Sequence, residues 1–332
     1  MSDLELITLF VFNIVVYSIP LLYGTCGEII TEKSGSLNLG VEGTMAVGAI
    51  IGYIAGCRSN SFLVAILVSF LAASLVGALF AFFTVTLQAN QNVTGLTITT
   101  LGVALYFFIG KGLSGMGKWP VLSSSDKMVK GFKDIEIPGL SSIKFVGKAF
   151  FTHNILVYAG VVMAIVLWIY IEKTSMGLKL RAIGENPAAA DSLGVNVNLY
   201  KYIHIMLGSG IMGIGGLYMG LNMSGSFEGS NCWINGYGWI AIALVIFANW
   251  STLRAIGGTF VFGFFNTLIY YNGPLANQFP HALGWLTKIP SQFYSALPFV
   301  ITLIVLILSS VRKNSSSGEP AAKGINYYRE DR

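Results

Sequence analysis

Hydrophobic positions in this chain run in long, charge-free stretches. Residues 59–110, 149–171, 202–227, 229–253, 255–287 and 289–311 contain no Asp, Glu, Lys or Arg. A helix rises about 1.5 Å per residue, so ~20 mostly apolar residues cross a hydrocarbon layer of ~30 Å. Each stretch therefore holds one span, and the first holds two. With the apolar segments before residue 59, the pattern predicts helices over 6–24, 37–56, 62–87, 94–113, 154–171, 200–221, 236–250, 256–272 and 293–311. The expected fold class is all-α: a polytopic membrane protein of nine or ten transmembrane helices.

Composition strengthens this reading. The chain is 54% hydrophobic, only 11% charged, and has a mean hydropathy of +0.68. Soluble domains carry about a quarter charged residues. Asp3 and Glu5 stand where a cleaved export signal carries basic residues, so the first apolar run is expected to remain as a helix. Its 39 glycines suit helices that pack through small faces, as at Gly208, Gly210, Gly213, Gly215 and Gly216. No linker divides the chain, which reads as one membrane domain over 1–313 followed by a polar, disordered cytoplasmic tail over 314–332. A weak internal repeat is suggested by LVGALFAFFTVTL at 75–87 and AIGGTFVFGFFNTL at 255–268, with the two helices running in opposite directions.

Charge orients the chain. Short loops rich in Lys and Arg stay cytoplasmic. The segment 172–181 carries Lys173, Lys179 and Arg181, the turn before the eighth span carries Arg254, and the tail carries Arg312 and Lys313. With an odd number of spans the acidic amino terminus then lies outside. Residues 111–152 resist this assignment, because they hold seven Lys against three acids and yet fall outside by parity.

Catalytic patterns are not apparent. Cys26, Cys57 and Cys232 lie far apart, and His153, His204 and His281 form no ligand spacing, so no disulfide framework and no metal are expected. The net charge of +5 is spread over loops and tail and gives no nucleic-acid signal. Gly208, Gly210 and Gly213 match a dinucleotide-binding spacing inside an apolar span, where helix packing is the better account. Residues 112–118 begin like a phosphate-binding loop, but Trp119 stands where Ser or Thr must hold magnesium. The chain is expected to carry no ATPase of its own and no catalytic residues.

Three polar elements remain. In residues 174–197, Asn186 is placed to cap a short helix that starts at Pro187 and ends by Gly194, which suits docking into a groove of another protein. In SGSLNLGVEG at 34–43, Glu42 stands near the start of a span, where an ionised carboxylate costs roughly 2.5 to 3.5 kcal/mol at the membrane centre and less near an end. Asn38, Gly40 and Gly43 allow a discontinuous second helix around it; the plainer alternative is a carboxylate that meets water at the cytoplasmic interface. Asn90, Gln91 and Asn92 precede a span with Thr94, Thr97, Thr99 and Thr100, and Phe227, Trp233 and Trp239 offer stacking faces to a flat base. Interfacial anchoring of the aromatic residues and self-bonding of the threonines to their own helix are the alternatives.

Several long blocks in a fixed order resemble the permeases of bacterial ABC importers for simple sugars and nucleosides, within the broader branched-chain amino acid, ribose and nucleoside type. These are GEIITEKSGSLNLGVEGTMAVGA at 27–49, NQNVTGL at 90–96, GLKLRAIGENPAAADSLGV at 177–195, GYGWIAIALVIFANW at 236–250 and PSQFYSALPFVITLIVL at 290–306. The resemblance is greatest to the shorter, nucleoside-type members. It implies that Gly184, Glu185, Asn186, Pro187, Ala188 and Asp191 belong to a coupling helix seated in an ATPase. It implies partners as well: two ATP-binding subunits that hold ATP and magnesium, a second homologous permease forming a heterodimer, and an extracellular solute-binding lipoprotein, for which the outer loop at 114–152 is the expected landing place. Asn38, Glu42, Gln91, Asn92, Thr94, Phe227 and Trp239 are the candidate substrate pathway. Purine nucleosides are favoured as the solute, with simple sugars and riboflavin as alternatives and the bacterial cytoplasmic membrane as the location. An ion-coupled carrier is a different class, and the scarcity of intramembrane carboxylates beyond Glu42, with His204 and Glu228 near span ends, argues against it.

Overall fold

A computed structural model describes residues 3–121, 126–141, 143–222, 227, 229–311 and 318–328. Arg312, Lys313, Glu228 and the tail positions 314–317 and 329–332 lie outside the described residues. Helices carry the architecture, joined by one small hairpin. In chain order they are α1 (Asp3–Lys33), α2 (Val41–Ser59), α3 (Phe62–Ala81, extended by a π-helical turn over Phe82–Thr86) and α4 (Gln91–Gly115). The loop after α4 holds α5 (Lys127–Gly131), β1 (Asp134–Glu136), α6 (Val146–Phe150) and β2 (Thr152–Asn154), with β1 antiparallel to β2 and Ile135 opposite His153. There follow α7 (Ile155–Lys173), α8 (Ser175–Glu185), α9 (Pro187–Ser192), α10 (Val197–Asn222), α11 (Tyr237–Phe247), α12 (Thr252–Gln278), α13 (Pro280–Leu283) and α14 (Ser291–Val311).

Among the described helices six are long and apolar enough to cross a membrane: α1, α3 with its π-helical turn, α4, α7, α10 and α12. The nine or ten expected spans exceed these six, and two of the expected segments differ from a simple apolar span for local reasons. The segment 37–56 is helical only from Val41, and the helix that follows is rich in glycine and opens with Glu42. The segment 236–250 contains just 11 helical residues, about 16 Å of helix against ~30 Å of hydrocarbon. The last expected span coincides with α14, whose 21 residues over Ser291–Val311 are about as long as the hydrocarbon is thick.

Packing follows the small residues. Helices α1, α2, α3 and α10 form the centre, and their crossings are glycine on backbone: a Cβ on Gly27 would strike the Gly208 carbonyl, and one on Gly48 would strike Gly213. Apolar side chains gain nothing by leaving lipid for protein, so close van der Waals approach takes the place of the hydrophobic effect. Gly208, Gly210, Gly213, Gly215 and Gly216 all face neighbouring helices this way, which settles the dinucleotide-like spacing as packing. On the outside of α3, Leu63, Leu67, Leu71 and Leu75 recur every fourth residue and are all more than half exposed, the stripe a lipid-facing helix presents.

Two faces result. One gathers the end of α1, the α3–α4 turn, α8, α9 and residues 318–328. The opposite face gathers the loop after α4: Phe12, early in α1, stacks on His153 with ring centroids 4.3 Å apart, and Tyr53 near the end of α2 donates to the Pro120 carbonyl. The lysine-rich segment 111–152 therefore lies on the face away from α8 and α9.

Candidate translocation and coupling site

The α1–α2 connection builds the centre of the site. Residues 36–40 are non-helical, with Ser36, Asn38 and Gly40 buried and Leu37 and Leu39 half-buried, so their backbone groups must find partners inside the protein. The Asn38 N–H donates to Glu28 Oε1 (3.2 Å), the Gly40 N–H to Asn38 Oδ1 (2.8 Å), and the Leu37 N–H to Gln91 Oε1 (2.7 Å), while the Leu39 carbonyl accepts from Thr99 Oγ1 (2.8 Å). Gln91 opens α4 and Thr99 sits eight residues further on, so the segment lies along the first two turns of that helix before α2 begins. The break precedes α2, and α2 itself is continuous.

Glu42, in the first turn of α2, is buried, and its carboxylate accepts from the backbone N–H groups of Gly236 and Gly238, both at 2.7 Å. Gly236 is the residue before α11 and has no side chain to cap that helix; its φ of 91° is the left-handed conformation that suits glycine. Glu42 supplies the cap from another helix. The positive ends of α2 and α11 converge on one carboxylate, and two charge-assisted hydrogen bonds hold it. Neither water nor a cation is needed to explain its burial. Of the two sequence readings of Glu42, the interfacial carboxylate is thereby corrected.

The other pathway candidates divide. Asn38 and Gln91 are buried and join the same polar seam, Gln91 donating onward through Nε2 to Asn326 Oδ1 (3.0 Å). Asn92 is exposed, and Thr94 bonds the Asn90 carbonyl of its own helix (2.8 Å), so neither is drawn to Glu42. Phe227 packs in an aromatic group with Tyr106 and Trp119, ring centroids 5.7 Å and 5.1 Å away, which Trp233 and Tyr53 complete. Trp239 is 40% exposed and lies outside that group.

On the α8–α9 face the local signals act as the sequence implies. Asn186 Oδ1 accepts from the Ala189 N–H (3.0 Å), Pro187 occupies the first helical position, Ala188 lies exposed in the first turn, and Gly194 (φ 83°) follows the helix. Gly184 and Glu185 belong instead to the end of α8, a separate amphipathic helix that the sequence reading did not distinguish. Leu193 is 84% exposed beyond α9.

Residues 318–328 correct the expectation of a disordered tail. They lie across this face: the Ala322 N–H donates to the Gly184 carbonyl (2.9 Å), the Gly324 N–H to the Gly35 carbonyl (3.1 Å), the Ala321 N–H to Glu185 Oε2 (3.3 Å) and the Tyr327 hydroxyl to Asp191 Oδ2 (2.7 Å). Asn326 reaches the Gln88 carbonyl as well as Gln91. Lys323 Nζ lies 3.6 Å from Glu32 and 4.6 Å above the Trp250 ring, and the Trp250 indole donates to the same Glu32.

Sequence reasoning missed Glu28 and Glu32, which are 0% and 2% exposed. They fall inside a helix read as ending at residue 24, and their spacing of four near the end of a long apolar run was the available signal. Their burial also removes the scarcity argument against an ion-coupled carrier. Among the described residues no group of three or more His, Cys, Asp or Glu is placed to hold a metal ion.

A bundle of apolar helices with two short elements meeting at a buried carboxylate, and an exposed helical peg on one face, is the architecture of a polytopic membrane protein. The chain belongs to the family described as the permease component of the branched-chain amino acid transport system, whose model matches residues 10–308. Its members are transport components, not enzymes. Similar relatives include the nucleoside ABC transporter permease NupC of Lactococcus lactis, 32% identical over 98% of this chain and 99% of that protein. The guanosine ABC transporter permease NupQ of Bacillus subtilis is 31% identical over 98% of both chains. A putative glucose ABC transporter permease of Haloferax volcanii, TsgC13, is 30% identical over 93% of this chain and 94% of its own length. No solved structure matches the chain significantly.

Proposed function

We propose that this chain is the membrane-spanning subunit of an ATP-driven importer that carries nucleosides, purine nucleosides first, across a bacterial cytoplasmic membrane. The observation that carries the reading is the peg at α9, tied by the Tyr327–Asp191 and Ala322–Gly184 bonds to a strap that reaches the buried linker before Glu42. Gly184, Glu185, Asn186, Pro187, Ala188 and Asp191 form the coupling element. ATP-binding subunits close beneath it, and ATP and magnesium stay on those partners. The pull passes through residues 318–328 to Gly35 and Gln91, and so to the 36–40 segment that leads to Glu42. That segment and α11 are the parts whose movement opens the path alternately to each side.

Under this reading the α8–α9 face is cytoplasmic and the amino terminus external. A second homologous permease completes a heterodimer, and an extracellular solute-binding lipoprotein lands on the 114–152 loop. Asn38, Glu42 and Gln91 line the path, and Phe227 stands with the aromatic group toward the outer mouth. The opposed directions of α3 and α12 suit an inverted repeat. The names borne by NupC and NupQ favour nucleosides.

A simple sugar is the second reading, favoured by the nearly full-length similarity to TsgC13. Uptake of labelled guanosine into cells carrying the complete complex tests both. Competition by unlabelled guanosine and not by ribose, glucose or riboflavin is the expected result; exclusive competition by a sugar or by riboflavin replaces the substrate. Deleting the ATPase subunit is expected to abolish uptake, and uptake driven by an ion gradient without it restores the carrier reading. A Leu193→Cys variant is expected to react with a membrane-impermeant thiol reagent only in opened cells; reaction in sealed cells removes the coupling element from the ATPase side.

A further inference from the structure

A cavity of about 370 Å³ opens between the ends of α1, α7 and α12, lined by Lys33, Trp168, Lys173, Trp250, Ser251 and Arg254 together with Glu172, Asn249 and Gly318. Its charge is unbalanced. Lys33 is 8% exposed, and its ammonium donates to the Gly318 carbonyl (2.7 Å) but forms no ion pair among the described residues. Glu172 is engaged by Arg181 at 3.1 Å, and the neighbouring Glu32 by Lys323 and Trp250. Lys173 and Arg254 likewise make no ion pair there, and Lys173 lies 5.7 Å over the Trp168 ring. A buried cation without a counter-charge is costly, and three cations around one cavity call for an anion.

Helix geometry adds to the same field. Ser251 precedes the 27 residues of α12 and makes no side-chain cap, so the positive end of that helix faces the cavity. The two helices that flank it carry exposed apolar side chains above the cavity, Ile165 and Ile169 on α7 and Leu253 on α12. A cation-lined, tryptophan-bearing pocket at the end of membrane helices with an apolar rim matches a phosphate headgroup whose acyl chains run up the adjacent groove.

We propose that this cavity binds the phosphate group of an anionic phospholipid, with Lys33, Lys173 and Arg254 holding the headgroup and the α7–α12 groove receiving the chains. The lipid supplies negative charge to a cavity in which Glu172, already paired with Arg181, is the one carboxylate against three cations. Because the site holds the end of α1 and Gly318 together, a bound lipid fixes the start of the strap that reaches α9. The inference is independent of which solute is carried, and its test does not measure transport.

The test uses the full chain purified in detergent and stripped of lipid, with binding followed by native mass spectrometry. Dioleoyl phosphatidylglycerol, phosphatidylcholine and inorganic phosphate are the probes. One phosphatidylglycerol per chain is expected to bind in preference to phosphatidylcholine. Losing a surface cation weakens anionic-lipid binding about fivefold, so a K173Q/R254Q variant is expected to bind it roughly thirtyfold more weakly, while K173R/R254K keeps it. Equal binding of the two lipids to the unaltered protein overturns the proposal without any variant, as does unchanged phosphatidylglycerol binding by the folded K173Q/R254Q protein. Displacement by inorganic phosphate at a concentration comparable to that of the lipid overturns the lipid source and assigns the site to free phosphate.

Discussion

Glu42 on α2 and Gly238 on α11 meet through a 2.7 Å hydrogen bond, although 196 positions separate them in the chain. With the companion bond from Gly236, this contact makes one carboxylate the cap of a helix it does not belong to. Gln offers a single acceptor oxygen and no charge. Glu42→Gln is therefore expected to leave one of the two amides unpaired and to lower stability by about 2 kcal/mol, the scale of a buried hydrogen bond to a charged group. A thermal melt of the purified protein reads this. Uptake by the complete complex is expected to fall with it, and an unchanged melting point removes Glu42 from this role.

The strap over 318–328 leads to a separable expectation. Tyr327→Phe removes only the bond to Asp191, worth about 1 kcal/mol, whereas ending the chain before Gly318 removes every tie to Gly184, Glu185 and Asp191. The shortened protein is expected to assemble with its ATPase but to hydrolyse ATP without import. Uptake per ATP hydrolysed, measured in proteoliposomes, checks this; full coupling without the strap refutes the route from α9 to Gly35.

Backbone contact between α2 and α4 sets a limit on size. A Cβ at Gly43 would collide with the Ile98 carbonyl, and one at Gly102 with the Gly43 carbonyl. Either glycine changed to alanine is expected to cost about 1 to 3 kcal/mol through overpacking. Gly112, on the same helix as Gly102 but with nothing within 4 Å, is the control, and Gly112→Ala is expected to be neutral or slightly stabilising. Melting points of the three variants decide the matter.

His153 gives the outer hairpin a pH dependence. Burial lowers its affinity for protons below the ordinary value of 6.5, against smaller opposing effects of its bond to the Ala149 carbonyl and of Asp134. The folded hairpin therefore holds a neutral imidazole, while the opened segment takes up a proton below about pH 6.5. Stability is full above that value and is lost as the pH falls through the window below it. Asp134 faces the same hairpin, its carboxyl raised by burial against the opposing pull of His153. Amide exchange over 134–154 is expected to quicken between pH 7 and 5, and His153→Gln to flatten that response.

The membrane class, the apolar stretches, the cap and stop of α9 and the packing role of the α10 glycines were legible in the residues alone. Each depends on neighbours along the chain, through helical rise, local hydrogen bonds or the absence of a Cβ. Span counting failed where a segment does not cross the bilayer unaided. Residues 36–40 and 236 pack inside the bundle without a continuous helix because Glu28, Gln91 and Glu42 satisfy their amides from elsewhere, and no local pattern announces those partners.

Residues 318–328 are polar by composition and would dissolve in water by themselves. Their order comes from acceptors at Gly184, Gly35, Glu185 and Asp191 and from the charge of Glu32. Local pattern along the chain was enough to read a membrane protein with a short helical peg between two of its spans. Tertiary structure alone decided what the peg is tied to and where the buried carboxylates find their donors, because hydrogen bonds between distant segments exist only once the helices have packed.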